Sequence, residues 1–301
     1  MLAYQSYGHA GYKNITNHSL EIQGASARLF RIVAARWWSV RVSRDAHMND
    51  ARLLQTYIDT VHNRYFAEQP LALDERGQVV GRFFKCIIGS RFEPIQSSQG
   101  DSLIGVEARL DSRLITGLGL PAASLFSLAS SDEALARLDR LSRIIHTLNH
   151  AVSAYRHLPL YLNVHPRLPV IVKEGHGEVF ETLLGYLDLS PADIVIELPA
   201  SVAAKPALSA SVISNYRRHG FRVASSLDER SLEGILTADV KPDLLKLPVG
   251  LAMRQVLSPG EVVTAVPVIL KDVRQSPLPA MNGIPSVIGL QGPWVNRQFA
   301  T

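Results

Sequence analysis

The sequence predicts an α/β fold, because short apolar segments alternate with segments of helical periodicity in its central part. The apolar segments predicted as strands are Ile194 to Leu198, Arg222 to Ser225 and Leu244 to Leu247. Gly220 and Pro242 interrupt the chain between them. A strand–helix–strand series of this kind builds either an α/β barrel or a doubly wound sheet.

Polar residues stand where each of these predicted strands ends. They are Glu197 on the first strand, Ser225 and Ser226 on the second, and Lys246 on the third. In both candidate folds the carboxyl ends of parallel strands meet at one edge, and functional sites lie there. We therefore expect these side chains to come together in a candidate site.

Length and composition limit the domain content. A chain of 301 residues, 47% of them hydrophobic, can form one large α/β domain, or a barrel of roughly 200 to 250 residues with a small appendage. The net charge of +4 permits an acidic partner without requiring one, so nucleic-acid binding is neither indicated nor excluded.

Cysteine content and hydropathy indicate a cytoplasmic protein. The single cysteine, Cys86, lies in an apolar run, so we expect a buried thiol and no disulfide framework or cysteine metal site. The N-terminus does not have the pattern of a signal peptide. We expect no membrane span, since arginines interrupt the apolar stretch from Phe30 to Val42.

The N-terminal part predicts a helical extension. Residues 1–22 are polar and are expected to be flexible, and helices are predicted at Gly24 to Val42 and Asp50 to Phe66. Leu71 to Val80 is interpreted as a linker or short hairpin. The resulting division is a flexible N-terminus at 1–22, a helical extension at 23–80 and a main domain at 82–301.

The first of these helices carries arginines and the pair Trp37 and Trp38. An ordinary amphipathic helix packed on the main domain explains them, with the arginines in solvent. Contacts of the arginines with nucleic-acid phosphates, or of the tryptophans with a protein partner, are the sharper alternatives.

The remaining elements follow from periodicity and turn residues. Strands at Phe83 to Ile95 and Leu103 to Leu110 should form an antiparallel hairpin. A capping box from Ser130 to Glu133 should begin a long helix. Further predicted elements are a strand at Leu160 to Val164, a helix at Glu178 to Tyr186, a helix at Gly250 to Val256, and strands at Val262 to Leu270 and Ser286 to Leu290, with a proline-containing connection between the last two that shortens or removes the usual helix.

Several of these segments resemble the EAL family, whose active members hydrolyse cyclic di-GMP. Glu197-Leu198-Pro199-Ala200 is similar to the family's E-x-T-E, and Asp243-Leu244-Leu245-Lys246 to its D-x-x-K. Weaker similarities are Glu93-Pro94-Ile95 to Q-P-I, Glu107 to Asp111 to E-A-L-L-R, Asn163 to Pro166 to N-L-S-P, and Gln291-Gly292 to Q-G. The resemblance spans about residues 83–295 and implies a modified TIM-like (β/α) barrel whose first strand is antiparallel.

Two segments depart from the family pattern. The family's D-D-F-G-T-G-Y falls on Ser225 to Ser231, and its A-E-G-V-E-T falls on Leu270 to Gln275, so both aspartates and both glutamates are replaced. Active members hold two divalent cations with carboxylates and an asparagine, and a metal-bound water attacks the phosphodiester. The resemblance implies these relic positions: Glu107, Asn163, Glu197, Ser225, Ser226, Lys246, Lys271 and Gln291. We expect neither catalysis nor a metal or other cofactor.

The retained charges allow two interpretations. Lys246 and Lys271 could neutralise Glu107 and Glu197 in a salt-bridge cluster left over from a barrel mouth. Alternatively, a metal-free pocket could bind cyclic di-GMP. Its predicted ligand-binding residues are Glu93, Arg109, Lys246, Lys271 and Gln291. Against this pocket, Asp111 replaces the arginine of the family's L-L-R.

The resulting hypothesis is a degenerate EAL domain that regulates bacterial signalling through a protein partner, with gene expression controlling virulence or motility as its output. A cyclic di-GMP receptor is the alternative, and a residual phosphodiesterase ranks third. Direct DNA binding is a weaker variant of the first hypothesis, and a homodimer is left open. His146 and His150 have the spacing of a metal pair, but no carboxylate motif accompanies them, so we expect a partly exposed helix face.

Overall fold

A computed structural model describes residues 51–65, 68, 70–171, 177–187, 189–256, 266–275 and 286–299. All of them belong to one compact unit, Met48–Thr301. The strands are β1 (Leu71–Leu73), β2 (Val79–Phe83), β3 (Cys86–Ser97), β4 (Leu103–Leu114), β5 (Leu160–Asn163), β6 (Ile194–Leu198), β7 (Arg222–Ser226), β8 (Leu244–Pro248), β9 (Val268–Lys271) and β10 (Val287–Leu290). The helices are α1 (Ala51–Tyr65), α2 (Ala122–Leu128), α3 (Asp132–Val152), α4 (Leu168–Ile171), α5 (Glu178–Tyr186), α6 (Ala200–Ala203), α7 (Pro206–Arg218), α8 (Leu232–Thr237), α9 (Val249–Val256) and α10 (Pro293–Gln298), with a 3-10 turn at Pro191–Asp193.

Eight strands, β3 to β10, close into a barrel. The sheet order runs from β3 through β10 and back along the chain to β4, and β3 pairs with β4 to close it. β3 is antiparallel to both of its barrel neighbours, whereas β4 to β10 run parallel to one another. The predicted modified barrel with an antiparallel first strand is therefore confirmed.

The barrel interior is filled with apolar side chains below the polar site. Tyr161, Val195 and Ile269 are buried there, and Ile95, Ala224 and Leu244 belong to the same apolar cluster. Because successive side chains of a strand alternate between its two faces, the intervening residues of each strand point outward and pack under the helices. A filled interior leaves the carboxyl ends of the strands as the place for a polar site.

Most predicted elements agree with the structure, and their boundaries shift for identifiable reasons. The helix at Glu178–Tyr186 agrees at both ends. The opening hairpin begins at Cys86 and not at Phe83, because Phe83 ends β2 and residues 84 and 85 form the turn. The capping prediction for α3 was wrong by one residue: Ser131, not Ser130, is the N-cap, and its hydroxyl accepts a hydrogen bond from Ala134 N at 3.1 Å.

The described residues from α1 to β2, which precede the barrel, share a core with α3. The Leu71 to Val80 segment forms a hairpin, as one of its two interpretations proposed, and β2 extends the sheet by pairing with β3. Leu54, Ile58 and Val61 of α1 join the core that contains α3. The division between residues 23–80 and 82–301 remains a prediction.

Several predictions concern residues outside the described ranges. These are the flexible segment 1–22, the arginine-rich helix with Trp37 and Trp38, the first part of the strand predicted from Val262, and the proline-containing connection at 276–285. Cys86 is buried, as expected. None of the helices in the described ranges combines the length and apolar character that a membrane crossing requires.

Candidate functional site

The polar site lies where parallel strands end, at the mouth of the barrel. Strand register places Asn163 beside Glu197, and Ser226 beside Lys246. Alternation along β6, β7 and β8 turns Glu197, Ser226 and Lys246 to the barrel interior. We call the assembled group the barrel-mouth cluster; its members are Glu93, Glu107, Arg109, Asn163, Glu197, Ser226, Lys246, Lys271 and Gln291.

Lys246 is the centre of this cluster. Its side chain is 0% exposed, and its Nζ lies 2.8 Å from Glu107 Oε2 and 2.6 Å from Glu197 Oε2. The ammonium also lies 4.8 Å from the centre of the Tyr161 ring, within the range of a cation–π contact. Burial opposes the charge, but the two carboxylates outweigh burial and raise the pKa of Lys246 above its ordinary value. The lysine is therefore a permanent cation held between two anions.

Glu107 is the most fully satisfied acid. Asn163 Nδ2 donates to its Oε1 at 2.5 Å and Gln291 Nε2 donates to its Oε2 at 2.6 Å. An Arg109 guanidinium nitrogen lies 3.1 Å from Oε1, opposite Lys246 on Oε2. Burial opposes ionisation, but Lys246, Arg109 and the amide donor outweigh it and lower the pKa of Glu107 to about 2. This carboxylate is ionised at neutral pH.

A second chain of contacts connects Glu197 to Lys271. The Ser226 hydroxyl donates to Glu197 Oε1 at 2.6 Å and accepts from Lys271 Nζ at 2.7 Å. Glu197 thus has a protein donor on each oxygen, Ser226 on one and Lys246 on the other. Lys271 is only partly buried, so it forms part of the accessible wall of the mouth.

Arg109 and Glu93 form the outer edge of the cluster. Arg109 Nε donates to Glu93 Oε2 at 3.0 Å, and the arginine side chain remains 43% exposed. Burial of part of the guanidinium opposes its charge, but Glu107 and Glu93 outweigh this effect and raise the pKa of Arg109. Arg91 also lies 3.1 Å from Glu93 Oε1, outside the cluster. Within the cluster, three acids, Glu93, Glu107 and Glu197, stand against three cations, Arg109, Lys246 and Lys271.

The structure brings together all but one of the predicted relic residues. Ser225 is the exception: it is buried, and as the neighbour of Ser226 on β7 it faces the helical layer. Its hydroxyl has no hydrogen-bond partner among the described residues. Sequence reasoning did not find Tyr161, whose ring faces Lys246, since its position two residues before Asn163 was the only available signal.

The histidine prediction was wrong. His146 and His150 are 6% and 7% exposed, because the face of α3 that carries them is covered by the hairpin of β2 and β3. Ser90 Oγ and His146 Nδ1 lie 2.7 Å apart. Burial, assisted by Arg143, lowers the pKa of His146 to about 3, so this imidazole is neutral. Within the described ranges, no group of three or more His, Cys, Asp or Glu side chains has a geometry suited to a metal ion.

Comparison with known families now identifies this barrel. The EAL domain model matches residues 87–259, more than half of the chain. The chain belongs to the EAL family. Among curated proteins no relative matches.

Solved structures share the EAL fold at low sequence identity. One is the PaMucR phosphodiesterase in complex with c-di-GMP, with 14% identity, a TM-score of 0.51, and coverage of 68% of this chain and 89% of that chain. Another is Klebsiella pneumoniae BlrP1 in a manganese and cy-diGMP complex, with 18% identity, a TM-score of 0.53, and coverage of 68% and 54%. The EAL enzyme Bd1971, bound to cAMP and cyclic di-GMP, has 13% identity, a TM-score of 0.51, and coverage of 89% and 71%. This chain spans about half the length of BlrP1.

Proposed function

We propose that this EAL protein is catalytically inactive and regulates bacterial signalling by binding a protein partner. The partner is a transcription factor, a sensor kinase or a signalling enzyme, and the output is control of gene expression, including repression of virulence or motility genes. The proposal rests on the state of the two central acids. Each oxygen of Glu107 and Glu197 already accepts a hydrogen bond or ion pair from a protein donor.

The donor set does not fit two divalent cations. Hard cations need several oxygen ligands with compensating negative charge, and here the charges of the barrel-mouth cluster already balance. Ser226, aligned with the second family aspartate, binds the ammonium of Lys271, which is aligned with a family glutamate. A lysine about 4 Å from a divalent ion would cost several kcal/mol per unit charge at a moderate effective dielectric. These contacts support the loss of two-metal hydrolysis.

A hydrolysis assay tests the inactive state. The purified full chain, given cyclic di-GMP with Mg2+ or Mn2+, should yield no linear product above a blank without protein. The matched variant combines Ser226→Asp with Lys271→Glu and should gain metal affinity in calorimetry, because two carboxylates replace a neutral hydroxyl and an ammonium. Metal-dependent turnover by the unchanged chain would overturn the inactive assignment.

A genetic comparison tests the regulatory part. A deletion strain and the same strain complemented with the unchanged protein should differ in transcript levels. The double variant Ser226→Asp/Lys271→Glu should complement fully if the output depends on a protein contact outside the barrel mouth. Identical transcripts in the deleted and complemented strains would refute control of gene expression.

A cyclic di-GMP receptor is the second candidate, favoured by the partly exposed cations Arg109 and Lys271 at the mouth. Solved members with this fold were captured with that nucleotide. Lys246, in contrast, has no exposed side chain with which to contact a ligand. Titration of cyclic di-GMP without metal should release heat, and Arg109→Gln should weaken binding, if this candidate is correct. Absence of heat excludes metal-independent binding, and a residual phosphodiesterase, which needs metal ions, is tested by the hydrolysis assay above.

A further inference from the structure

Two neighbouring turns expose large apolar side chains at the end of the sheet that extends from the barrel. Residues 84 and 85 join β2 to β3, and residues 115–118 follow β4. Cys86 pairs with Leu114, and Ile115 N donates to Lys85 O at 3.0 Å, so the turns lie side by side. Phe84, Ile115 and Leu118 are 66%, 62% and 69% exposed. We define the tip surface as Arg82, Phe84, Lys85, Arg113, Ile115 and Leu118.

Phe84 has an unfavourable backbone conformation in its turn. Its φ is +51°, in the left-handed region that bulky residues rarely adopt and that glycine and asparagine tolerate. Two-residue hairpin turns favour those small residues. The ring contacts Phe83 at 4.6 Å between centroids and yet stays mostly in solvent. Neither the backbone nor the packing of this domain explains a phenylalanine here, and strain of this kind clusters at functional surfaces.

Three basic side chains lie beside the apolar ones. Register places Arg82 and Arg113 on either side of Ile87, on one face of the sheet, and Lys85 lies in the turn itself. Arg82, Lys85 and Arg113 form no ion pair with any residue in the described ranges. Asp111 shares this face two residues from Arg113, so the cations outnumber the acid.

Size and charge indicate what covers this tip. A stable protein interface buries about 800 Å² per partner and involves about 20 to 30 residues, whereas the tip surface consists of two short turns. An anionic lipid surface needs only a few apolar side chains to enter its headgroup region, and it attracts nearby lysines and arginines. We propose that the tip surface docks on an anionic bilayer, with Phe84, Ile115 and Leu118 inserted and Arg82, Lys85 and Arg113 on lipid phosphates. This site is separate from the barrel mouth and does not depend on the regulatory function proposed above.

Vesicle flotation with the full chain tests the proposal. The probes are vesicles of phosphatidylglycerol with phosphatidylethanolamine, and vesicles of phosphatidylcholine alone. The chain should bind the anionic vesicles, release them as salt increases, and bind the neutral vesicles weakly. Phe84→Gly should weaken binding about tenfold or more while the melting temperature stays equal or rises, since glycine relieves the strained φ. Arg82→Gln and Arg113→Gln should each weaken binding roughly fivefold.

Controls separate insertion from general damage. Phe84→Asn tolerates the same backbone conformation and should lose binding like Phe84→Gly. Val170→Ser removes an apolar side chain that is 57% exposed on α4 and should leave binding unchanged. Undiminished vesicle binding in Phe84→Gly and Leu118→Ser would place the lipid contact elsewhere and overturn the proposal. Binding to an acidic amphipathic peptide but not to vesicles would overturn it in favour of a protein partner.

Discussion

Two buried polar groups of the domain differ in charge: one consists mostly of ionised side chains and the other of neutral ones. The barrel-mouth cluster holds Lys246 between two carboxylates at 2.6 and 2.8 Å. The second group, which we call the hairpin anchor, consists of Val79, Ser90, His146 and Asn149. It connects the hairpin of β2 and β3 to α3 through uncharged hydrogen-bond partners. Asn149 donates to Val79 O and accepts from Val79 N, each at 2.8 Å.

The difference determines how each group responds to the loss of one member. In the barrel-mouth cluster, attraction keeps buried side chains ionised, so removing one charge leaves others unpaired in the interior. In the hairpin anchor, burial keeps His146 neutral, and removing one partner leaves only uncharged donors and acceptors unsatisfied. Substitutions in the first region should therefore cost more than equally buried substitutions in the second.

The largest effect is expected from Lys246→Met. This change leaves Glu107 and Glu197 buried without their shared cation, and breaking such a pair costs about 3–5 kcal/mol of the free energy of unfolding. Urea denaturation at neutral pH measures the loss. Lys271→Met is the matched control: its ammonium is partly exposed and bonds a hydroxyl, so it should cost less than about 1 kcal/mol. Equal losses in the two variants would contradict the central role of Lys246.

Asn149→Ala should cost less, about 2–4 kcal/mol, because it leaves the buried N–H and C=O of Val79 without a partner. The same urea assay measures it. Amide hydrogen exchange should increase at Val79 first, since this group closes the hairpin onto the helix. A loss larger than that of Lys246→Met would reverse the comparison between the regions.

Gly292→Ala should disturb the barrel-mouth cluster from its backbone side by about 1–3 kcal/mol. Gly292 has φ +142°, and a Cβ there would lie 2.5 Å from Val273 N. The preceding residue, Gln291, donates to Glu107 and accepts a hydrogen bond from Val273 N. Gly119→Ala is the control, with nothing within 4 Å of an added Cβ and no positive φ, and thermal unfolding should barely change. An equally large loss of stability in Gly119→Ala would show that the loss of a glycine, and not the close approach of Gly292 to Val273, is responsible.

The sequence predicted the barrel and most of its mouth for one reason. Parallel strands align their carboxyl ends, so Glu197, Ser226 and Lys246 had to converge once the strands were located. Pairing details could not be predicted in the same way. Lys246 was expected to share its role with Lys271, but the structure places Lys271 on Ser226, because strand register pairs Lys271 with Pro248, two residues beyond Lys246.

Other features depend on long-range packing that a single sequence does not display. His146 has the spacing of an exposed helix residue, but the hairpin of β2 and β3 buries it. Ser225 aligned with a ligand position of the family, but alternation along β7 turns it away from Glu197. The left-handed backbone conformation of Phe84 could not be predicted either, since phenylalanine favours strands and does not indicate a turn.

The smallest effect concerns pH and separates the two regions by the windows in which they titrate. His146 has a pKa lowered from 6.5 to about 3, so the unfolded chain binds its proton first, and stability is lost as pH falls below about 6.5. Glu107 has a pKa lowered from 4.5 to about 2, so its contribution is complete above about pH 4.5 and is lost only below it. Between pH 6.5 and 4.5, His146→Gln should reduce the slope with which the free energy of unfolding declines, by about 1 kcal/mol per pH unit. His62 and His165, whose pKa values burial also lowers, should retain part of the slope. Glu107→Gln should leave the decline between pH 6.5 and 4.5 unchanged, because the carboxylate of Glu107 is mostly ionised in the folded and the unfolded chain over this range. A flattened slope in Glu107→Gln would assign the acid sensitivity to the barrel mouth and not to the hairpin anchor.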